Sequence, residues 1–298
     1  MLKICVDIGG TKTIVGLINE DLEIVASQKF KTDKDVPEKE FEEIINLAND
    51  YVENFENVDK TSLNIAMPGP CDYNQGLFLN PPNLQKYNGF NAGTYITQNS
   101  EFKSRFVNDT DAAILAEHQY IKAQTEDFIY LTISTGVGMA YMKQGQLISG
   151  IDGNFGEIGH TVIKSDSSYQ CPVCKQYGCV ENEISGLAIS RKASGILKRE
   201  VSTKEAIEMY VQGKDKTITH MIEEVLNLTQ QLCTNLFSVF NIYHIVLGGG
   251  VTQSPLPYKE SIETYVKEHH LVRNSPISIK VSDLEANVLT GLYFVNES

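Results

Sequence analysis

Residues 4–18 read Ile4-Cys5-Val6-Asp7-Ile8-Gly9-Gly10-Thr11-Lys12-Thr13-Ile14-Val15-Gly16-Leu17-Ile18. An apolar run meets an acidic residue, two glycines interrupt it, and a second β-rich run follows. That order predicts strand, tight loop, strand. Asn19-Glu20-Asp21 then turns the chain, and Leu22–Phe30 returns as a third strand. The same pattern recurs downstream. Phe128–Ile133 reads as a strand, Ser134-Thr135-Gly136-Val137-Gly138 as a loop and Met139–Met142 as a strand. Gln144-Gly145 turns, and Gln146–Ile148 pairs back. Two related halves predict a duplicated α/β architecture of two domains, with a ligand cleft between them.

The intervening sequence fits that plan. Pro37 opens a helix with Phe41, Ile44, Ile45, Ala48 and Val52 on one face. Leu63–Met67 is a buried strand stopped by Pro68-Gly69-Pro70. Residues 71–100, rich in Asn, Pro, Gly and Tyr, read as an irregular surface segment. Arg105–Val107 is a short strand, and Asn108-Asp109-Thr110-Asp111 starts a helix, since Asp and Thr cap helices well. Ser185–Arg199, Thr203–Val211 and Thr217–Phe240 are expected helices, the last with Ile218, Met221, Val225, Leu232, Leu236 and Phe240 inward. His244–Leu247 is a strand running into Gly248-Gly249-Gly250, Ile277–Val281 a late strand and Leu284–Phe294 a final helix. The expected division is residues 1–112 and 113–283, with the last helix, about 284–298, packing back on the first domain.

Composition narrows the function. The 298 residues are 42% hydrophobic and 21% charged, with a net charge of −13. The longest basic cluster is Lys198-Arg199, so a nucleic-acid partner is not expected. No apolar run reaches the ~18 residues of a membrane-spanning helix. Asp7 breaks the first apolar stretch too early for a secretory signal, which predicts a cytoplasmic protein. Three of the six cysteines, Cys171, Cys174 and Cys179, fall within nine residues, a metal-binding pattern in a reducing compartment. Cys5 and Cys233 sit in apolar patterns and read as core.

Three glycine-bearing loops carry the chemistry. Gly9-Gly10 lets the backbone approach a phosphate and offers N–H donors, although a tight hairpin turn is the plainer reading. The spacing of a Walker loop is absent. Ser134–Gly138 occupies the matching place in the second half. Gly248-Gly249-Gly250 leaves room for a flat ligand such as adenine, or is a flexible turn. Asp109 alone reads as a helix cap, and Glu157 with His160 as an i,i+3 pair. Asp111 lies about 200° around the helix from Asp109 and is expected off its face.

Taken in order, Asp7–Thr13, Pro81-Pro82-Asn83-Leu84, Asn108–Ala113, Thr132–Gly138, Gly156-Glu157-Ile158-Gly159-His160, Gly178-Cys179-Val180-Glu181 and Leu247–Val251 resemble the ROK family of repressors and sugar kinases. The resemblance spans nearly the whole chain and implies the actin-like, ribonuclease H-like ATPase fold. It implies a small-molecule sugar as substrate, ATP as donor with Mg²⁺, a structural Zn²⁺, and a homodimer. By the same resemblance Asp7 would orient Mg²⁺ through water. Gly9, Gly10, Thr11 and Lys12 would lie along the phosphates with Thr135 and Gly136 facing them, and Gly249 and Gly250 would border the nucleoside. Asn83, Asn108, Asp109, Glu157, His160 and Glu181 would hold the sugar, with Asp109 as the base. His160, Cys171, Cys174 and Cys179 would bind the zinc. The family segment usually reads Cys-x-Cys-Gly-x-x-Gly-Cys-x-Glu. Here the first pair is one residue further apart and Lys175 stands where glycine is usual. Two other readings are a sugar-responsive regulator and a sugar-binding protein without catalysis. Regulators of the family carry an added helix-turn-helix domain, whereas this sequence opens on the first strand.

Overall fold

A computed structural model describes residues 1–272 and 274–295. The chain divides into two compact units. The first comprises Met1–Gln124, Gly145–Phe155 and the chain from Leu284 onward. Strands β1 (Leu2–Ile8), β2 (Lys12–Ile18) and β3 (Ile24–Lys31) form an antiparallel meander. Helix α1 (Pro37–Asn54) leads to β4 (Val58–Met67), which pairs parallel to β1. A small hairpin, β5 (Cys71–Asp72) and β6 (Leu77–Phe78), and helix α2 (Ala92–Asn99) precede β7 (Lys103–Asn108), parallel to β4. Helix α3 (Asp109–Ile121) follows at once. The sheet order is β3-β2-β1-β4-β7.

The strand period sorts β1 onto two cores. Ile4, Val6 and Ile8 join Phe41, Ile44 and Leu63 on the α1 side. Cys5 joins Ile18, Ala66, Ala112 and Leu289 on the other, closed by α3 and a C-terminal helix, Asn287–Gly291. That second contact is close: a Cβ on Gly291 would stand 1.8 Å from the Ala112 carbonyl oxygen.

The second unit comprises Thr125–Gln144 and Gly156–Asp283. Strands β8 (Phe128–Ile133) and β9 (Val137–Lys143) are antiparallel. The two-residue β10 (Gln146–Leu147) follows in the chain, within the segment assigned to the first unit. Helices α4 (Val180–Ile184), α5 (Gly186–Leu197), α6 (Thr203–Val211) and α7 (Lys216–Phe240) come next. Strand β11 (His244–Gly248), helix α8 (Tyr258–His269) and β12 (Ser278–Val281) complete the unit. β11 pairs parallel to both β8 and β12. The order β9-β8-β11-β12 thus repeats β2-β1-β4-β7, strand for strand and direction for direction.

Several expectations are corrected. Residues 71–100 are not merely irregular: they form the β5/β6 hairpin and α2, and bury Phe78, Leu84, Tyr87 and Ile96 in the α1-side core. Asn91 caps α2 by accepting from Thr94 N at 2.7 Å. The break expected between residues 112 and 113 falls inside α3, and the first unit continues to Gln124. The expected final helix reduces to Asn287–Gly291 and a 3-10 turn, Leu292–Phe294, because Ala286 enters it in the left-handed region at φ 52°. Its expected extension over 296–298 lies outside the described residues. Helix α8 went unread, although Tyr258, Ile262 and Val266 form its buried stripe. No helix among the described residues is long and apolar enough to cross a membrane.

Candidate active site

In the first unit, the parallel strands β1, β4 and β7 deliver their C-terminal ends to one sheet edge. Ligands of open α/β sheets bind at that edge. Asp7 pairs in register with Ala66, and Met67 with Asn108, so Asp7 and Asn108-Asp109 arrive side by side around one intervening strand. After β1 the loop closes on itself, with Gly9 N donating to Lys12 O at 2.9 Å. A Cβ on Gly10 would stand 2.9 Å from the Asn83 Cβ, so the exposed Asn83 abuts the loop. Lys12 and Thr11 are exposed.

The structure reassigns the cap of α3. Asn108, not Asp109, is the N-cap: its Oδ1 accepts from Thr110 N at 2.9 Å and from Thr110 Oγ1 at 2.6 Å. Its Nδ2 donates to Tyr73 Oη at 2.9 Å. Asp109 is the first helical residue, and its Oδ1 accepts from Thr110 N at 2.7 Å. Solvent reaches Asp109, yet protein atoms crowd it; that desolvation raises its carboxyl, against the opposing N–H groups of Thr110 and of Asp109 itself. Burial, and then the charge of Asp109, push the Asp7 carboxyl up to about 6, with Lys12 opposing. Asp111 is not an outward residue. It is 3% exposed, its Oδ1 has no hydrogen-bond partner, and burial followed by the charge of Asp109 pushes it to about 8.

In the second unit the loop after β8 is held from two sides. Ser134 N donates to Gly136 O at 2.9 Å. Val137 N donates to Glu181 Oε2 at 3.1 Å. Glu181 lies so close that a Cβ on Gly136 would stand 2.5 Å from that oxygen. Glu157 is exposed and begins the 3-10 turn Ile158–His160, and His160 is half-buried. The six expected sugar ligands therefore come as two groups: Asn83, Asn108 and Asp109 in the first unit, Glu157, His160 and Glu181 in the second.

Thr135 and Gly250 line one cavity of about 620 Å³. Gly249, beside it, has φ 89°, and a Cβ there would meet the Ile133 carbonyl at 2.5 Å. Leu187, Ile207 and Val211 supply an apolar wall that sequence reading did not select. The sequence carries no signal for them; the structure does, since Leu187 is 62% and Val211 55% exposed while Ile207 is buried.

His160, Cys171, Cys174 and Cys179 converge, their donor atoms all within 4.8 Å of one another. Cys174 Sγ lies 3.2 Å from Cys179 Sγ, and Cys171 Sγ 3.9 Å from His160 Nδ1. All six cysteines are free thiols. A Cys₃His donor set suits tetrahedral zinc, whose Zn–S bonds of about 2.3 Å place sulfurs about 3.8 Å apart, so Cys174 and Cys179, at 3.2 Å, would separate slightly to hold it. Burial pushes the Cys179 thiol up to about 12, and Cys174 and Cys171 add to the rise, a crowding that a cation reverses. The wider Cys171–Cys174 spacing is absorbed in the knuckle, where Cys171 N donates to Gln176 O at 2.8 Å and Lys175 N to Cys171 O at 3.1 Å. Lys175 has φ 63°, the left-handed conformation that glycine adopts freely.

A family model described as ROK family matches residues 3–288. An N-acetylmannosamine kinase of Escherichia fergusonii is 29% identical over 269 residues, covering 90% of this chain and 89% of its own. The ROK hexokinase from Thermus thermophilus superposes with a TM-score of 0.86 at 26% identity, covering 98% of this chain and 96% of that one. A ROK family transcriptional regulator, a homolog of the E. coli MLC protein, shares the fold, with a TM-score of 0.85 at 22% identity, 98% of this chain and 77% of that one being covered. The duplicated sheets, the paired loops and this near-complete match agree, and the chain belongs to the ROK family, with its actin-like ATPase fold of two domains.

Proposed function

We propose that the chain transfers the γ-phosphoryl group of ATP to a hydroxyl of a hexose or N-acetylhexosamine, the 6-hydroxyl by preference, with Asp109 as general base. The observation that carries this reading is the placement of Asp109. It opens α3 at the strand-end edge, Asn108 relieves it of capping, and desolvation raises its carboxyl. Asp109 takes the hydroxyl proton as the sugar oxygen bonds to phosphorus and the bond to ADP breaks. Mg²⁺, when bound, neutralises charge on the phosphates, and Asp7 would hold it through water. The N–H groups of Gly9–Lys12, with Thr135 and Gly136, stabilise the transferring group, and Gly249 and Gly250 border the nucleoside. Asn83, Asn108, Glu157, His160 and Glu181 supply the amides and acceptors that a ring of hydroxyls needs.

The zinc has a bracing role in this reading. Cys179 immediately precedes α4, which carries Glu181, and His160 closes the turn that begins at Glu157. The metal thereby fixes sugar ligands and takes no part in phosphoryl chemistry. The chain acts as a homodimer in the cytoplasm.

The deciding experiment is a phosphorylation screen over N-acetylmannosamine, N-acetylglucosamine, glucose, fructose and mannose, with ATP and polyphosphate as donors. Turnover of one sugar with ATP supports the reading. Sugar binding with no turnover on any of them would favour a regulator or a silent binding protein.

A further inference from the structure

Behind the Asp7–Thr13 loop lies a buried carboxyl that the roles above do not use. Glu40, in the first turn of α1, is 1% exposed. Its Oε2 accepts from Asp33 N at 2.8 Å. Its Oε1 is in hydrogen-bond contact with Thr13 Oγ1. Thr13 Oγ1 lies 3.1 Å from Thr32 Oγ1, and Thr32 Oγ1 donates to the Gly9 carbonyl at 2.8 Å. Thr13 and Thr32 are as buried as Glu40. A chain of side chains therefore runs from α1 to the backbone of the loop.

Proton counting favours a protonated Glu40. Each hydroxyl has one proton to give. The proton of Thr32 is committed to Gly9 O. If Glu40 is ionised, Thr13 gives its proton to Oε1, and the buried contact between Thr13 and Thr32 holds none. If Glu40 is protonated at Oε1, all three contacts hold one proton and run one way, from Glu40 to Thr13 to Thr32 to Gly9 O. Such aligned chains reinforce one another. Burial raises the Glu40 carboxyl, the hydrogen bonds from Thr13 and from Asp33 N oppose that rise, and the negative charges of Asp33 and Glu43 add to it, the net direction being upward.

The Gly9 carbonyl matters because a trans peptide points its C=O and the next N–H in opposite directions. Fixing Gly9 O towards Thr32 turns the Gly10 N–H to the other side, away from Thr32. Thr32 N also donates to Thr11 O at 3.3 Å, so residue 32 holds the loop at two points.

We propose that Glu40 is held as a neutral carboxylic acid and is a positioning residue, its proton starting a Thr13–Thr32 relay that orients the Gly9–Gly10 peptide towards the nucleotide phosphates. The proposal rests on reading Gly9–Lys12 as the phosphate contact.

The test uses Thr32→Val, Glu40→Leu and Glu40→Gln in the full chain, with melting temperatures to verify folding. Loss of one such hydrogen bond is expected to raise KM for ATP and Kd for ADP about fivefold in Thr32→Val, with KM for the sugar within about twofold. Glu40→Leu should lose at least as much, and Glu40→Gln, which keeps a neutral donor, should recover most of it. The infrared difference between wild type and Glu40→Gln at pH 7 should contain the C=O stretch of a protonated acid. A folded Thr32→Val with unchanged ADP affinity overturns the relay, and a carboxylate in the difference spectrum overturns the neutral Glu40. If Thr32→Val fails to fold, the spectrum still decides. Wild-type protein that phosphorylates no sugar, yet whose ADP affinity falls in Thr32→Val, sinks the kinase reading and supports the relay.

Discussion

Asp109 and Asp111, two residues apart, have different fates, and tertiary packing separates them. Sequence spacing puts them on different faces of α3, which suggests one working residue and one silent one. The structure buries α3 on more than one face, including Thr110, Asp111, Ala113, Ile114 and Glu117. Helix periodicity cannot show this, because the second covering layer comes from the far end of the chain. The consequence can be measured. Asp111 has its ordinary value of 3.8 raised to about 8 in the folded protein. The native state therefore holds a proton that the unfolded state releases, and stability falls as pH rises from about 4 to about 8. Asp111→Asn should flatten that slope, with melting temperature gaining most above pH 8. Parallel melting-temperature profiles for wild type and variant would contradict the assignment. The capping role was equally hidden: Asn108 and Asp109 are both good caps, and only the backbone decides between them.

At the scale of elements, much was legible. The two strand–loop–strand units stand out because glycines punctuate apolar runs, and both loops sit at parallel strand ends as the pattern implies. The cysteine cluster was legible because its chemistry is dense in sequence, and the structure brings all four donors together despite the altered spacing. Helices α2 and α8 were not, since polar residues dilute their stripes and Pro, Asn and Ser precede them. The cysteine cluster yields a direct prediction. Protein purified without chelator should carry about one zinc per chain, and Cys171→Ser should lose it as completely as Cys174→Ser or Cys179→Ser. Chelation should weaken sugar binding more than ATP binding. Cys171→Ser protein that keeps its zinc would show that the first ligand lies elsewhere.

Across the whole molecule, sequence-distant segments finish the first unit. The C-terminal helix packs on α3 at Gly291, and no small shift accommodates a Cβ 1.8 Å from a carbonyl oxygen. Gly291→Ala should destabilise by about 1–3 kcal/mol, the usual cost of overpacking, readable in chemical denaturation. A midpoint equal to wild type would mean that the helix is not held as described. The net charge of −13 bears on the regulator reading. We expect no sequence-dependent footprint on DNA at moderate salt, and a footprint would revive that reading.

The central claim is that Asp109 is the base, and Asp109→Asn tests it most directly. Asn108 caps α3, so the change should leave melting temperature nearly unaltered. The amide still hydrogen-bonds the sugar, so KM should move little. It accepts no proton, so kcat on the true sugar should fall on the order of 10²–10⁴-fold. A kcat within a few fold of wild type, measured on folded protein at saturating sugar and ATP, would contradict the account.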